Sequence, residues 1–330
     1  MNVPSFTRDS LGIRACTEHD DDRDISGKTS ARIVIRGYKS LSQSFIVAGK
    51  MAFTTVAVAG ATGTLGKPIS QALVNKGFKV KIFTRDVADA KKKLDVKAEY
   101  VVVDYKNKSN LVAALQGVEV VISAVGGAAL GEQILLIEAA KEAGVKRFYP
   151  GEFGGDPANG GKSVLFDVKR DIFEVLKKSG LEWTFIINGL FLEYLYSPFL
   201  GVDVANNKIT FVGTKDTKLS YTALKDIGAF TAESINNPIS KNAVIKVVGE
   251  TISYGQIAET IEKSTGKKWD VKYTPVSDTE AKIAANPNPW ATIPEQLLTA
   301  FGKGQGEVKN PQNKEFPAVK VQTLADFLKK

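Results

Sequence analysis

A doubly wound parallel α/β sheet followed by a smaller mixed α/β region is the fold this chain predicts, on three observations. Glycines recur as Gly60-x-x-Gly63-x-x-Gly66 between the apolar run 55–59 and a helical pattern. Further glycines, Gly77, Gly117, Gly144 and Gly180, close successive helical runs. Between those runs lie short apolar segments, as strands buried on both faces require.

Strands are expected near 54–59, 79–84, 99–103, 118–124, 145–149 and 182–187, with helices near 64–76, 109–116, 131–143 and 163–179. This βαβ punctuation is Rossmann-type, and ligands of such sheets sit beyond the carboxyl ends of the strands. In the first turn Gly60 allows the sharp reversal, Gly63 lets backbone N–H groups approach a pyrophosphate, and Gly66 packs helix against strand. Thr62, Thr64 and Leu65 fill the same turn and share its cofactor role, with the positive end of the helix facing the phosphates. Beyond residue 190 the alternation loosens: a strand at Lys208–Phe211, a helix from Asp226, a strand at Ala243–Val248, and helices near 254–265 and 293–301. The expected organisation is an extension over 1–50, a dinucleotide-binding domain over 51–190 and a substrate-binding region over 191–330.

Composition narrows the chemistry. With 330 residues, 43% of them hydrophobic, the chain can bury a large core. Cys16 is the sole cysteine and His19 the sole histidine, so an internal disulfide, a zinc cluster and a serine-histidine-acid triad are all excluded from the folded part. The longest apolar stretch, 118–140, is interrupted by Glu119, Glu132 and Glu138 and cannot span a membrane. A net charge of +8 invites a nucleic-acid reading. Its lysines, however, are scattered in pairs and one triple, Lys91–Lys93, without interleaved aromatic residues, which fits solvated helix faces and no nucleic-acid partner. A cytoplasmic protein acting on a small molecule is expected. Residues 1–50 carry too many acids, among them Asp20, Asp21, Asp22 and Asp24, for a mitochondrial transit peptide. A poorly ordered tail ahead of Met51 is the expectation.

The tip of the second strand sets the cofactor. An acid there would bind the ribose 2′-hydroxyl of NAD, whereas Arg85 suits the 2′-phosphate of NADP. Asp86 keeps the other option open, since a small backbone shift would offer its carboxylate instead. At the fourth strand's end Ser123 and Val125 are small enough to let the nicotinamide half pass. Helical spacing sets Lys169 beside Leu165, Phe173 and Leu176, its stem along an apolar face. A lysine desolvated in this way exchanges protons near neutral pH better than a surface lysine does. The Tyr-x-x-x-Lys pair of typical short-chain dehydrogenases is missing here, because Leu165 stands four residues before Lys169. The pattern Tyr221–Lys225 falls too late in the chain to serve. Gly160-Gly161-Lys162-Ser163 likewise fails as a phosphate loop, its first required glycine being Asp156.

Together the glycine turn, Arg85, the run from Lys146 to Gly154 and the run Phe166-Asp167-Val168-Lys169 resemble the isoflavone reductase and phenylcoumaran benzylic ether reductase group, which are atypical short-chain dehydrogenases of the NmrA-like family. The resemblance extends to the Ser220-Tyr221-Thr222 and Asp226-Ile227-Gly228 segment. It implies NADPH as cofactor, an NADP-dependent oxidoreductase, and Lys169 as the residue that exchanges a proton with a phenolic or carbonyl oxygen; Lys169 is expected among the cofactor-binding residues as well. Gly151 occupies the position of the group's usual serine, so substrate identity does not transfer. Phe153, Phe191 and Tyr194 are the candidates to stack a substrate ring. A dinucleotide-sensing regulator that works through a protein partner is the alternative within the same fold. Deleting residues 1–50 is expected to leave the melting temperature and its rise with NADPH unchanged; a destabilised truncation would show that the tail docks.

Overall fold

The computed structural model describes residues 52–156 and 163–329, so the expected extension lies outside the described residues. In chain order the first half alternates β1 (Thr55–Ala59), α1 (Gly66–Asn75), β2 (Lys79–Thr84), α2 (Val87–Lys93), β3 (Glu99–Val102), α3 (Lys108–Ala114), β4 (Val120–Ser123), α4 (Gln133–Glu142), β5 (Arg147–Tyr149), α5 (Val164–Ser179) and β6 (Glu182–Ile187). The second half comprises β7 (Leu190–Phe191), α6 (Leu192–Leu195), β8 (Val202–Asp203), β9 (Lys208–Val212), β10 (Lys218–Thr222), α7 (Leu224–Ser234), β11 (Ala243–Lys246), β12 (Glu250–Ser253), α8 (Tyr254–Thr265), β13 (Asp270–Thr274), α9 (Val276–Ala285), α10 (Ile293–Ala300) and α11 (Leu324–Leu328).

The six early strands pair in parallel in the order β6-β5-β4-β1-β2-β3. Strand order reverses between β1 and β4, and the crevice beyond that switch point is where an open α/β sheet receives its ligand. Val56 to Ala59 are fully buried because helices cover both faces. α1 turns Ile69 and Leu73 into one layer, and α4 turns Leu136 and Ile137 into the other. Each such aliphatic side chain contributes about 1.5–3 kcal/mol on leaving water.

Residues 224–246 return to this sheet instead of staying with the substrate-binding region to which the sequence assigns them. α7 crosses α1 so closely that a Cβ on Gly228 would lie 2.4 Å from the Pro68 carbonyl oxygen. β11 then pairs in parallel with β6 as the seventh strand. The physical reason is cover: β6 would otherwise be an open edge and α1 would keep its apolar outer face in water.

Two three-stranded sheets, β12-β10-β7 and β13-β9-β8, form the smaller region around Leu219, Tyr221, Tyr254 and Ile257. β10, β12, β13 and α9 carry no clear sequence signal. In β10 the buried polar groups mask the strand: the Ser220 hydroxyl pairs with Thr251 at 2.7 Å, and Thr222 Oγ1 donates to the Asn188 carbonyl at 2.7 Å.

Gly66 is the tightest point of the α1 entry, since a Cβ there would sit 2.1 Å from the Gly60 carbonyl oxygen and 2.6 Å from Ala61 Cα. Both are backbone atoms and cannot swing aside. Gly66→Ala is expected to cost at least about 1–3 kcal/mol in denaturant unfolding, as overpacking does. A neutral result would mean that the turn relaxes freely.

Candidate active site

β1 delivers the chain to Gly60, whose φ of +72° and approach to β4 both demand glycine: a Cβ would lie 2.9 Å from the Ala124 carbonyl carbon. The Gly63 N–H closes the turn on the Gly60 carbonyl at 3.0 Å. Gly63 itself is exposed, and its Cβ would touch only the Gly60 carbonyl oxygen, at 3.2 Å. α1 begins with no side-chain cap and no acid in its first turn, leaving its leading N–H groups to an anion. These features fit the pyrophosphate of a dinucleotide. Beside the turn a cavity of about 840 Å³ runs from Gly60, Thr62 and Gly63 to Arg85 at the β2 tip and Val125 at the β4 tip. Thr64 is exposed and Leu65 and Gly66 are buried, and none of the three lines this cavity.

Asp86, the rival of Arg85, lines the same cavity and is also a helix cap. Its Oδ1 accepts the Asp89 N–H at 3.0 Å and caps α2. Of the lysine triple only Lys93 reaches the cavity, where it pairs with Asp89 at 2.7 Å. Ser123 does not face the cavity; it is fully buried, and its hydroxyl accepts the Val125 N–H at 3.4 Å. Ala124, Val125 and Gly126 form that wall instead. Tyr105 also lines it, unmarked in the sequence; burial pushes its phenol up to about 12, the Gly60 backbone opposing, so it stays protonated.

After β5 the chain is strapped across the strand tips. A Cβ on Gly151 would lie 2.5 Å from the Val125 carbonyl oxygen, and the Gly151 N–H donates to Gln133 Oε1 at 2.7 Å. The Gly154 carbonyl accepts the N–H groups of Asn188 and Gly189, each at 3.0 Å, just beyond β6. α5 is capped by Ser163, whose Oγ accepts the Leu165 N–H at 3.3 Å. Its buried stripe is Phe166, Lys169, Ile172 and Leu176, with Leu165 and Phe173 half-buried on the flanks rather than sharing it. Lys169 Nζ donates to the Glu152 carbonyl at 3.0 Å and stands 3.6 Å from Glu152 Oε1. Lys169 is 8% exposed and Glu152 3%. Burial pushes the Glu152 carboxyl above the usual range, the Lys169 charge pulls it back, and Asp156 adds to the rise.

Above Lys169 opens a second chamber of about 150 Å³, walled by Phe153, Leu165, Phe191, Tyr194 and Phe301. All three aromatic candidates therefore line the chamber that Lys169 also lines. The Phe191 and Tyr194 rings stand 5.6 Å apart, and Tyr194, 39% exposed, forms the rim. Lys169 does not line the larger cavity; Val125 of that cavity packs against Gly151, two residues before Phe153 of the chamber. Like Tyr105, Glu152 and Phe301 are residues that sequence reasoning missed, although Glu152 lies in the run carrying the family resemblance.

Tyr221 and Lys225 do not form a catalytic pair. Tyr221 is fully buried in β10, its hydroxyl donating to Glu250 and accepting the Leu324 N–H at 2.8 Å. Among the described residues no group of His, Cys, Asp and Glu is placed to hold a metal, and no helix is long and apolar enough to cross a membrane. Arg85→Ala is expected to abolish any larger rise in melting temperature with NADPH than with NADH. Asp86→Ala should lower stability by about 1 kcal/mol through the lost cap while leaving that preference intact. An Asp86→Ala protein that loses the preference would contradict the division of labour between the two.

Comparison with known proteins agrees with this architecture. A phenylcoumaran benzylic ether reductase of Ginkgo biloba is 28% identical over 84% of this chain and 99% of its own length. Eugenol synthase 2 of Clarkia breweri is 31% identical over 83% of this chain and 97% of its own. The solved structure of AtPrR2 with NADP+ and (+)pinoresinol superposes with a TM-score of 0.75, at 25% identity, over 84% of this chain and 98% of that one. The sequence profile of the NmrA-like family matches residues 53–328, and the chain belongs to that family.

Proposed function

We propose that the protein is an NADPH-dependent reductase of a small aromatic or conjugated carbonyl or phenolic compound, with Lys169 as proton donor and acceptor. One observation carries this reading: a buried amine, held by a backbone carbonyl, opens onto an aromatic chamber strapped to the rim of a dinucleotide-sized cavity. Gly60, Gly63, Arg85 and Val125 would hold NADPH, which when bound supplies a hydride. Lys169 Nζ gives a proton to the substrate oxygen as the neighbouring carbon is reduced, and regains one from water; in the oxidative direction it accepts that proton. Phe153, Phe191 and Tyr194 exclude water and present ring faces to an aromatic substrate. The names of the relatives, a benzylic ether reductase and a eugenol synthase, support an aromatic substrate. A cytoplasmic location accords with the single cysteine.

The test is NADPH consumption across phenols, enones and quinones. Lys169→Ala is expected to lower kcat by about 10²–10⁴-fold on any compound turned over, with the NADPH-induced rise in melting temperature retained. Undiminished turnover in that variant would remove Lys169 from the chemistry. Cofactor binding with no consumption across the panel would favour a dinucleotide sensor.

A further inference from the structure

We propose that Glu152 is the positioning residue for Lys169, its backbone carbonyl aiming the amine and its carboxylate holding the positive charge on it. The inference rests on the proton-transfer role of Lys169 given above. A lysine ammonium has three N–H bonds to place and no acceptor of its own. One goes to the Glu152 carbonyl at 3.0 Å, and the carboxylate stands 3.6 Å away, beyond hydrogen-bond reach but close in a site of low polarisability. A further bond is left for the chamber, where a substrate oxygen would sit.

Glu152 is built for this task. Its Oε1 is buried without a hydrogen-bond partner, an expensive arrangement unless a cation balances it. Among the described residues the other charged groups facing it are engaged. Asp156, on the same segment, pairs with Lys246 of β11 at 2.6 Å, and Arg170 on α5 is exposed and paired with Asp167. Lys169 is thus the cation set against this carboxylate. The backbone of Glu152 is fixed as well, by its N–H to the Pro150 carbonyl at 2.7 Å and by the packing of Gly151 on Val125. Direction comes from the rigid main chain and charge from the side chain, so the two can be separated experimentally.

Glu152→Gln keeps the carbonyl and removes the charge. The high-pH fall of the reduction rate is expected to begin about one pH unit lower in this variant, with KM and the NADPH-induced melting shift unchanged. Glu152→Asp, which restores a carboxylate, should return the profile towards that of the parent. Independently of turnover, competitive acylation with acetic anhydride, read by mass spectrometry, should label Lys169 about tenfold faster at neutral pH in Glu152→Gln. Unchanged pH profile and labelling would overturn the proposal while leaving the role of Lys169 standing. Turnover that survives Lys169→Ala would overturn that role instead, and labelling would still decide the part played by Glu152. Should Glu152→Gln fail to fold, Glu152→Leu, which keeps the carbonyl and much of the side-chain volume without the charge, is tested by labelling alone, and a tenfold rise supports the proposal while a rate equal to the parent overturns it.

Discussion

All strands of the large sheet run the same way, and that constraint organises the molecule. Each crossover must leave at one edge of the sheet, so the tips of β1, β2, β4, β5 and β6 gather there and the larger cavity lies beyond those tips. At the switch point the chain after β1 and the chain after β4 turn to opposite faces. Their tips still approach so closely that Gly60 has no room for a side chain beside Ala124. The resulting cavity is a product of topology before it is a product of any particular side chain.

The strap over residues 151–154 converts this edge into a site. It is tied to β4 through Gly151 and Val125 and to the end of β6 through Gly154. Lys169 arrives from below on α5 and finds the strap's carbonyl already in place. Glycine at position 151 therefore has a local cause in this chain: any side chain there would strike the Val125 carbonyl oxygen. A departure from the family's usual residue need not signal a different reaction when the backbone alone accounts for it.

Features that depend on a few consecutive residues were legible in the sequence. Gly60 and Gly66 are required by backbone atoms in and beside the turn, and the periodicity of α5 marked Lys169 as lying against apolar surface. Contacts between distant segments were not legible. The meeting of Glu152 with Lys169 depends on how a strap and a helix are hung on the sheet, and neither run reveals it alone. Ser123 illustrates a different limit: its position at a strand tip was right for lining a cavity, but pleat and side-chain rotation turned its hydroxyl back to the main chain. For Asp86 a usable signal existed, since Asp86 with Asp89 three residues on is cap spacing for a short helix. β10 stayed hidden because its polar side chains satisfy one another inside the fold.

The return of β11 to the edge of β6 has a consequence for how the chain comes into being. During synthesis β6 emerges well before its neighbour, with all of β7 to β10 and α7 between them. Until residue 246 has left the ribosome, β6 offers an unpaired parallel edge, and for most of that time α1 lacks the helix that covers it. Nascent chains of this length expose a template for wrong pairing, and chaperone dependence should peak in that interval. The architecture that encloses the catalytic edge so completely also makes its assembly late.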